Sequence, residues 1–287
     1  MTQSIGPRAP GALETIETSA RRSRRRGVGS TWAWLIFALG AAYFIVPLIA
    51  TFEFSIRTKP DIFLAYRQVL ADTLFVDSLR YSFVIGIVTI VVSLLIIVPT
   101  AYWVRLKVPR LRPVIEFVTL MPFVIPPVIL VFGIIRTYAS KPFALTSTPF
   151  GSDFLLVGAY VILSFPYMYR AVDTGLAAID VRTLTEAAQN LGCGWVRILW
   201  QVIFPNLRTS LLSGAFLTLA IVIGEYTIAN FLARPAFGPY LSLLGQNQPF
   251  QPAAVALISF GLTWAAMGMI AFLGRGAGTR VQVAGAR

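Results

Sequence analysis

Three groups of residues in this chain have types and spacings suited to chemistry or mechanical work. Glu225 lies in Ile223-Gly224-Glu225-Tyr226-Thr227-Ile228-Ala229-Asn230, well inside a long apolar run. A carboxylate at such a depth costs about 3 kcal/mol on insertion scales, so it must face a cavity or a partner. With Tyr226 and Asn230 it forms a polar patch that could line a solute path; the alternative is a structural hydrogen-bond acceptor. On a regular helix Tyr226 points away from Glu225, so only a break near Gly224 would gather all three. The second group is Pro126-Pro127, within an apolar run that also contains Pro122. Proline removes a backbone hydrogen bond and kinks its helix. Such breaks belong where protein or a water-filled cavity covers them, so the pair predicts a helix lining an internal path, with a plain packing kink as the alternative.

The third group is the polar insert from Thr183 to Pro205. Thr183 and Glu186 have the spacing of a capping box, which predicts a helix from Leu184. Leu184, Ala187, Ala188 and Leu191 follow at i, i+3, i+4 and i+7, one apolar stripe. Gly192 and Gly194 end that helix, and Trp195, Ile198, Leu199 and Val202 make a second stripe that Pro205 stops or kinks. Two short amphipathic helices around a glycine break form a knob suited to another protein's groove.

Other chemistries lack their residues. There is no histidine and one cysteine, Cys193, so disulfides, Cys/His zinc sites and Ser-His-Asp triads are absent from this chain. No phosphate-binding G-x-x-x-x-G-K-[ST] loop occurs, so ATP hydrolysis by the chain itself is not expected. A membrane-embedded enzyme would need a base, a nucleophile or metal ligands; the chain is not read as an enzyme, and no catalytic residue, metal or cofactor is expected.

The elements that must position these groups are helices in a bilayer. Of the 287 residues 56% are hydrophobic and only 13% charged, with mean hydropathy +0.74; a soluble domain carries about 25% charged residues. Apolar runs at 31–52, 81–104, 114–137, 153–172, 209–232 and 253–274 are each near the 20 or so residues that span a membrane. A net charge of +12 does not indicate nucleic acid, because the basic residues sit in the links between these runs. With the N-terminus in the cytoplasm, seventeen of the 24 Lys and Arg fall on the cytoplasmic side and seven outside. That asymmetry predicts six spans, both termini cytoplasmic, and the 183–205 insert facing the cytoplasm between spans four and five. Residues 1–30, with Arg21, Arg22, Arg24, Arg25 and Arg26, read as an irregular basic tail, 31–274 as the spanning domain and 275–287 as a second tail.

The spacing Glu186-Ala187-Ala188, three residues, Gly192, nine residues, Val202-Ile203-Phe204-Pro205 resembles the EAA loop of ATP-binding-cassette importer permeases, the inner-membrane components of binding-protein-dependent transport systems. That consensus ends in I-x-L-P; Val202 and Phe204 are apolar replacements that leave Gly192 and Pro205 in register. The resemblance implies an all-α integral membrane protein of the plasma (inner) membrane. It implies cytoplasmic ATPase subunits docked on a coupling loop whose residues here are Thr183, Glu186, Ala187, Ala188, Gly192, Trp195, Ile198 and Pro205. It further implies a second permease subunit, identical or different, an extracytoplasmic solute-binding protein, and membrane lipid around the spans. Gly224-Glu225-Tyr226-Thr227-Ile228 resembles the spermidine and putrescine branch, which implies a small polar solute of the polyamine type, with Glu225 complementing its charge; the same branch includes permeases for anions, iron and aminophosphonates. The competing class is an ATP-independent secondary transporter or channel; no internal repeat supports it, and it leaves 183–205 without a role.

Overall fold

A computed structural model describes residues 12–142 and 144–275 of the chain. The described residues are helical and contain no strand. They divide at Arg57 into two units. The first is the helix α1 (Ala12–Ser55), whose stretch Thr31–Ser55 is long and apolar enough to cross a membrane. The helix starts well before that stretch, so residues 12–30 of the expected irregular tail are its N-terminal part; residues 1–11 and 276–287 lie outside the described ones.

The second unit contains α2 (Leu64–Ala71), α3 (Thr73–Lys107), α4 (Arg112–Val124), α5 (Pro127–Tyr138), α6 (Pro149–Ala177), α7 (Val181–Asn190), α8 (Trp195–Asn206), α9 (Arg208–Gly224), α10 (Thr227–Phe231), α11 (Phe237–Asn247) and α12 (Gln251–Arg275). Of these, α3 and α6 are long and apolar enough to span a membrane unbroken. Their buried faces recur at helical spacing and use small hydroxyl residues, Ser78, Ser82, Thr89 and Ser93 on α3 and Ser164 on α6. Small side chains let helices approach closely where lipid removes the hydrophobic drive between them. Ser93 and Ser164 share a hydrogen bond of 2.8 Å across that contact. The opposite face of α3, with Val84, Ile87, Val91 and Leu95, is exposed and apolar, as a lipid-facing surface must be.

Two of the expected continuous runs are broken. The run 114–137 is two helices, α4 and α5, bent by 95°. Pro126 sits in extended backbone at the break and Pro127 opens α5, where its missing N–H would be unsatisfied anyway. The run 209–232 stops at Gly224, and Glu225 is extended (φ −78°, ψ 127°). At its other end α9 meets α8 at 81°. That bend falls at Leu207, two residues beyond Pro205, which lies within the last turn of α8 rather than ending it. Pro99 and Pro166 lie inside α3 and α6, whose helices run on through them.

Three apolar clusters hold the unit together. One, at the end where α7 and α8 lie, packs Val98, Tyr102, Met168 and Leu176 against Val181, Ile198, Ile203 and Leu207. A second joins α3, α5, α6 and α9 to α10 around Leu156, Tyr160 and Ile228. The third seats α2 and α12 on α11 and the start of α3 through Val69, Phe75, Phe237 and Val255.

Candidate functional site

The segment 180–207 is built from a differently capped helix than the spacing predicted. Asp180, not Thr183, is the N-cap: its carboxylate accepts the Thr183 backbone N–H at 3.1 Å and the Thr183 hydroxyl at 2.8 Å. Those two donors hold the Asp180 carboxyl below the usual carboxylate range. Glu186 therefore closes no capping box and pairs with Arg182 one turn back, at 2.8 Å. Starting the helix three residues earlier changes its inward face. Val181, Thr185 and Ala188 are buried, with Leu184 half-buried beside them, whereas Ala187 and Leu191 are exposed. The Thr185 hydroxyl meets the Tyr102 hydroxyl of α3 at 3.1 Å, which ties α7 to the end of that long helix.

The glycine break has one conformation. Gly192 takes φ +77°, a region closed to most residues with a Cβ. Its N–H donates to the Gln189 carbonyl at 2.9 Å, and the Cys193 N–H reaches the Ala188 carbonyl at 3.0 Å. That pair of bonds is the Schellman ending of a helix. The chain then enters α8, where Ile198, Leu199 and Ile203 are buried and residues 199–203 form a π turn.

What this packing leaves outside is apolar. Leu191 is 84% exposed, and Trp195, Val196 and Trp200 are each at least half exposed, with Trp200 stacked on Phe204 at 4.7 Å. The expected stripe of Trp195 with Ile198 and Leu199 is not uniform: Trp195 is exposed while the other two are buried. A cavity of about 810 Å³ opens between this segment, α3 and α4, with Trp103, Lys107, Arg182 and Trp195 among its walls.

Glu225 has a different environment. It is 9% exposed, and both oxygens are engaged. The Ile228 N–H donates to Oε1 at 2.8 Å, the Ala229 N–H to Oε2 at 3.2 Å, and the Tyr160 hydroxyl of α6 to Oε2 at 3.0 Å. A carboxylate accepting the first free N–H groups of α10 caps that helix and complements its dipole. Gly238 permits α11 to close over it, since a Cβ there would overlap the Glu225 carbonyl oxygen. The break at Gly224 does occur, but it does not gather the patch: Tyr226 and Asn230 are exposed while Glu225 is buried. Beyond α10, Arg234 donates to Asp153 at 2.7 Å and to the Tyr81 hydroxyl at 3.2 Å, and Tyr81 also donates to Asp153. None of Tyr81, Asp153, Tyr160 and Arg234 stands in a local motif, and partners 65 to 153 positions apart give sequence spacing nothing to report. Asp180 could have been found: Val181 lies three residues before Leu184 and extends the stripe backwards to an Asp cap.

These features have relatives. A family model described as the binding-protein-dependent transport system inner membrane component matches residues 94–279, more than half of the chain. The chain belongs to that family. This permease is similar to a probable sulfate transport system permease protein CysT of Chlorokybus atmophyticus, 27% identical over 209 residues, 68% of this chain and 70% of the relative. It is similar to the molybdenum transport system permease protein ModB of Azotobacter vinelandii, 26% identical over 68% of this chain and 88% of the relative. The spermidine/putrescine transport system permease protein PotB of Haemophilus influenzae is 24% identical over 82% of this chain and 87% of its own length. Among solved structures, a bacterial ABC transporter involved in the import of the acidic polysaccharide alginate has a chain of the same fold. Its TM-score is 0.60 at 24% identity, over 87% of this chain and 96% of that one. The permease is thus a multi-pass membrane protein of the expected all-helical class.

Proposed function

We propose that this permease couples ATP hydrolysis by separate cytoplasmic ATPase subunits to uptake of a small charged solute. The observation that carries the reading is the exposed ridge of Leu191, Trp195, Val196 and Trp200 on a segment whose own core is closed. A soluble-side surface does not keep such a patch open without a partner. On this reading 180–207 faces the cytoplasm, both termini lie on that side, and the ridge seats in a groove of the ATPase. A second permease subunit completes the path, and an extracytoplasmic binding protein delivers the solute.

Force must pass through a rigid connector, because only contacts that differ between two states can drive one into the other. The connector here is capped by Asp180, closed at Gly192 and tied to α3 through Tyr102. Thr183 acts as the donor to that cap, Glu186 as the exposed partner of Arg182, and Ala187 as a contact-face residue. Ala188, Ile198 and Pro205 set the packing and course of the segment. Burying Leu191 or Trp195 is worth about 2 kcal/mol each, so Leu191→Ser or Trp195→Ser weakens ATPase docking roughly 30-fold. The test is co-purification of the ATPase with each variant, together with ATP-dependent uptake in vesicles. Normal docking and uptake in both variants sinks the coupling role.

For the solute, relatives named for spermidine and putrescine support a polyamine, and relatives named for sulfate and molybdenum support an oxyanion. Glu225 does not argue for the polyamine, since its carboxylate is occupied by three internal donors. Tyr226 and Asn230, which are exposed, together with the Pro126-Pro127 break, are the path residues of this proposal.

A further inference from the structure

A second cavity, of about 490 Å³, lies between α4, α6 and α9. Its polar walls are Arg170 and Thr174 on one face of α6 and Thr209, Ser210 and Ser213 on α9. Tyr167 and Phe123, in edge-to-face contact at 5.4 Å, bound it on another side. Hydroxyls in membrane helices ordinarily turn back to a carbonyl one turn earlier, as Thr100, Thr137 and Thr218 do here. Among the described residues, the hydroxyls of Thr174 and Ser213 form no such bond, Thr209 and Ser210 stand in the first turn of α9 beyond its 81° bend from α8, and Arg170, exposed like Thr174, Thr209 and Ser213, has no acidic partner. No carboxylate lines the cavity. The neighbouring acids are occupied: Asp173 by Arg105 and Arg112, and Glu116 by Arg112.

We propose that this cavity is a binding station for a small tetrahedral oxyanion on its way through the permease. Guanidinium is the preferred planar partner of oxyanions, and free hydroxyls supply further donors at adaptable angles. A di- or polyamine would meet the uncompensated charge of Arg170 with no carboxylate to offset it. The inference rests on the permease reading above and names its solute class. A phospholipid phosphate offers the same chemistry, and the test separates the two sources.

The complex of permease, ATPase and binding protein is reconstituted in phosphatidylcholine vesicles with and without phosphatidylglycerol, and uptake of labelled sulfate, molybdate and putrescine is followed. ATP-dependent uptake of sulfate or molybdate is expected, falling roughly tenfold or more in Arg170→Gln and less in Arg170→Lys. The ATPase should still co-purify with both variants. Uptake of putrescine alone, or oxyanion uptake indifferent to Arg170→Gln, overturns the proposal. A variant effect confined to phosphatidylglycerol vesicles assigns the cavity to lipid and also overturns it. A second readout needs no ATP: in a Cys193→Ser background, millimolar molybdate should protect Ser213→Cys from a thiol reagent, and Arg170→Gln should abolish the protection. Protection without uptake upholds the station and breaks the coupling reading; absence of both removes the station.

Discussion

The break after α9 and the segment 180–207 are both departures from straight helix, yet they are finished in opposite ways. At the break, a buried carboxylate meets three donors, an Arg–Asp–Tyr cluster closes the following turn, and apolar cores press on both sides. In 180–207 the charged groups are outside, and so are Leu191, Trp195 and Trp200. On the proposed reading, the difference separates residues that hold the fold from residues kept for a partner. A satisfied buried charge is a structural element even at a position where a charge invites a functional reading. An exposed apolar side chain on a segment with a closed core is one kept for an outside contact.

Removing Glu225 should have the largest effect. Glu225→Ala leaves two N–H groups and the Tyr160 hydroxyl buried without an acceptor, a destabilisation of about 3 kcal/mol or more. Glu225→Gln retains an acceptor and should lose about 1 kcal/mol. Thermal aggregation of the detergent-purified protein reads both. A Glu225→Ala protein of normal stability but without uptake would erase the contrast and return Glu225 to the solute path.

Next comes the cluster that closes the turn. Arg234→Ala strands Asp153, whose remaining partner is Tyr81, and should destabilise by about 2 kcal/mol. It should leave ATPase docking unchanged, because Tyr81 packs on the apolar cluster around Leu156 and Ile228, apart from the one that holds α7 and α8. Loss of docking in this variant would show the two regions to be mechanically one.

Gly192→Ala comes third. A methyl group there meets no atom, so the effect is conformational alone, about 1 to 2 kcal/mol for φ +77°. On the coupling reading the strain falls on the connector itself, so uptake should drop several-fold while thermal stability falls by no more than that strain. Equal losses in both would mean that the segment is as much part of the core as the break is.

The helical class and the short helices of 183–205 were legible because both are written in patterns among neighbouring residues. Apolar length, the basic bias of the links and the spacing Glu186–Gly192–Pro205 are all local. The interior was less legible. Arg170 reads as one more basic residue at the end of a run, and becomes notable only because Thr209 and Ser213, some forty positions away, lie beside it. Glu225 was singled out for its depth, but the group that occupies it, Tyr160, sits 65 residues earlier on another helix. Capping failed for a further reason. Asp180 and Thr183 are both competent caps, and the choice between them was made by Val181, whose burial against α3 and α6 draws the helix start back.

That choice of cap supplies the smallest expected effect and a pH signature. Two hydrogen bonds from Thr183 hold the Asp180 carboxyl below its ordinary range in the folded segment. A depressed folded pKa means the cap's contribution is complete above the unfolded carboxylate pKa and is lost as pH falls through the lower, folded value. From neutral pH down to the ordinary carboxylate range the first turn of α7 should therefore be unchanged. Below it, Asp180 takes up a proton, Thr183 loses an ionised acceptor, and the turn loosens. Trp195 follows α7 directly through the Gly192 ending, so its fluorescence in a nanodisc, with the other tryptophans replaced, reports the change. Asp180→Ser keeps a capping oxygen that does not titrate, and should flatten the acid limb of the curve. An acid limb of the same size in Asp180→Ser would place the titrating group elsewhere and leave Thr183, the cap that the spacing predicts, to be tested in its place.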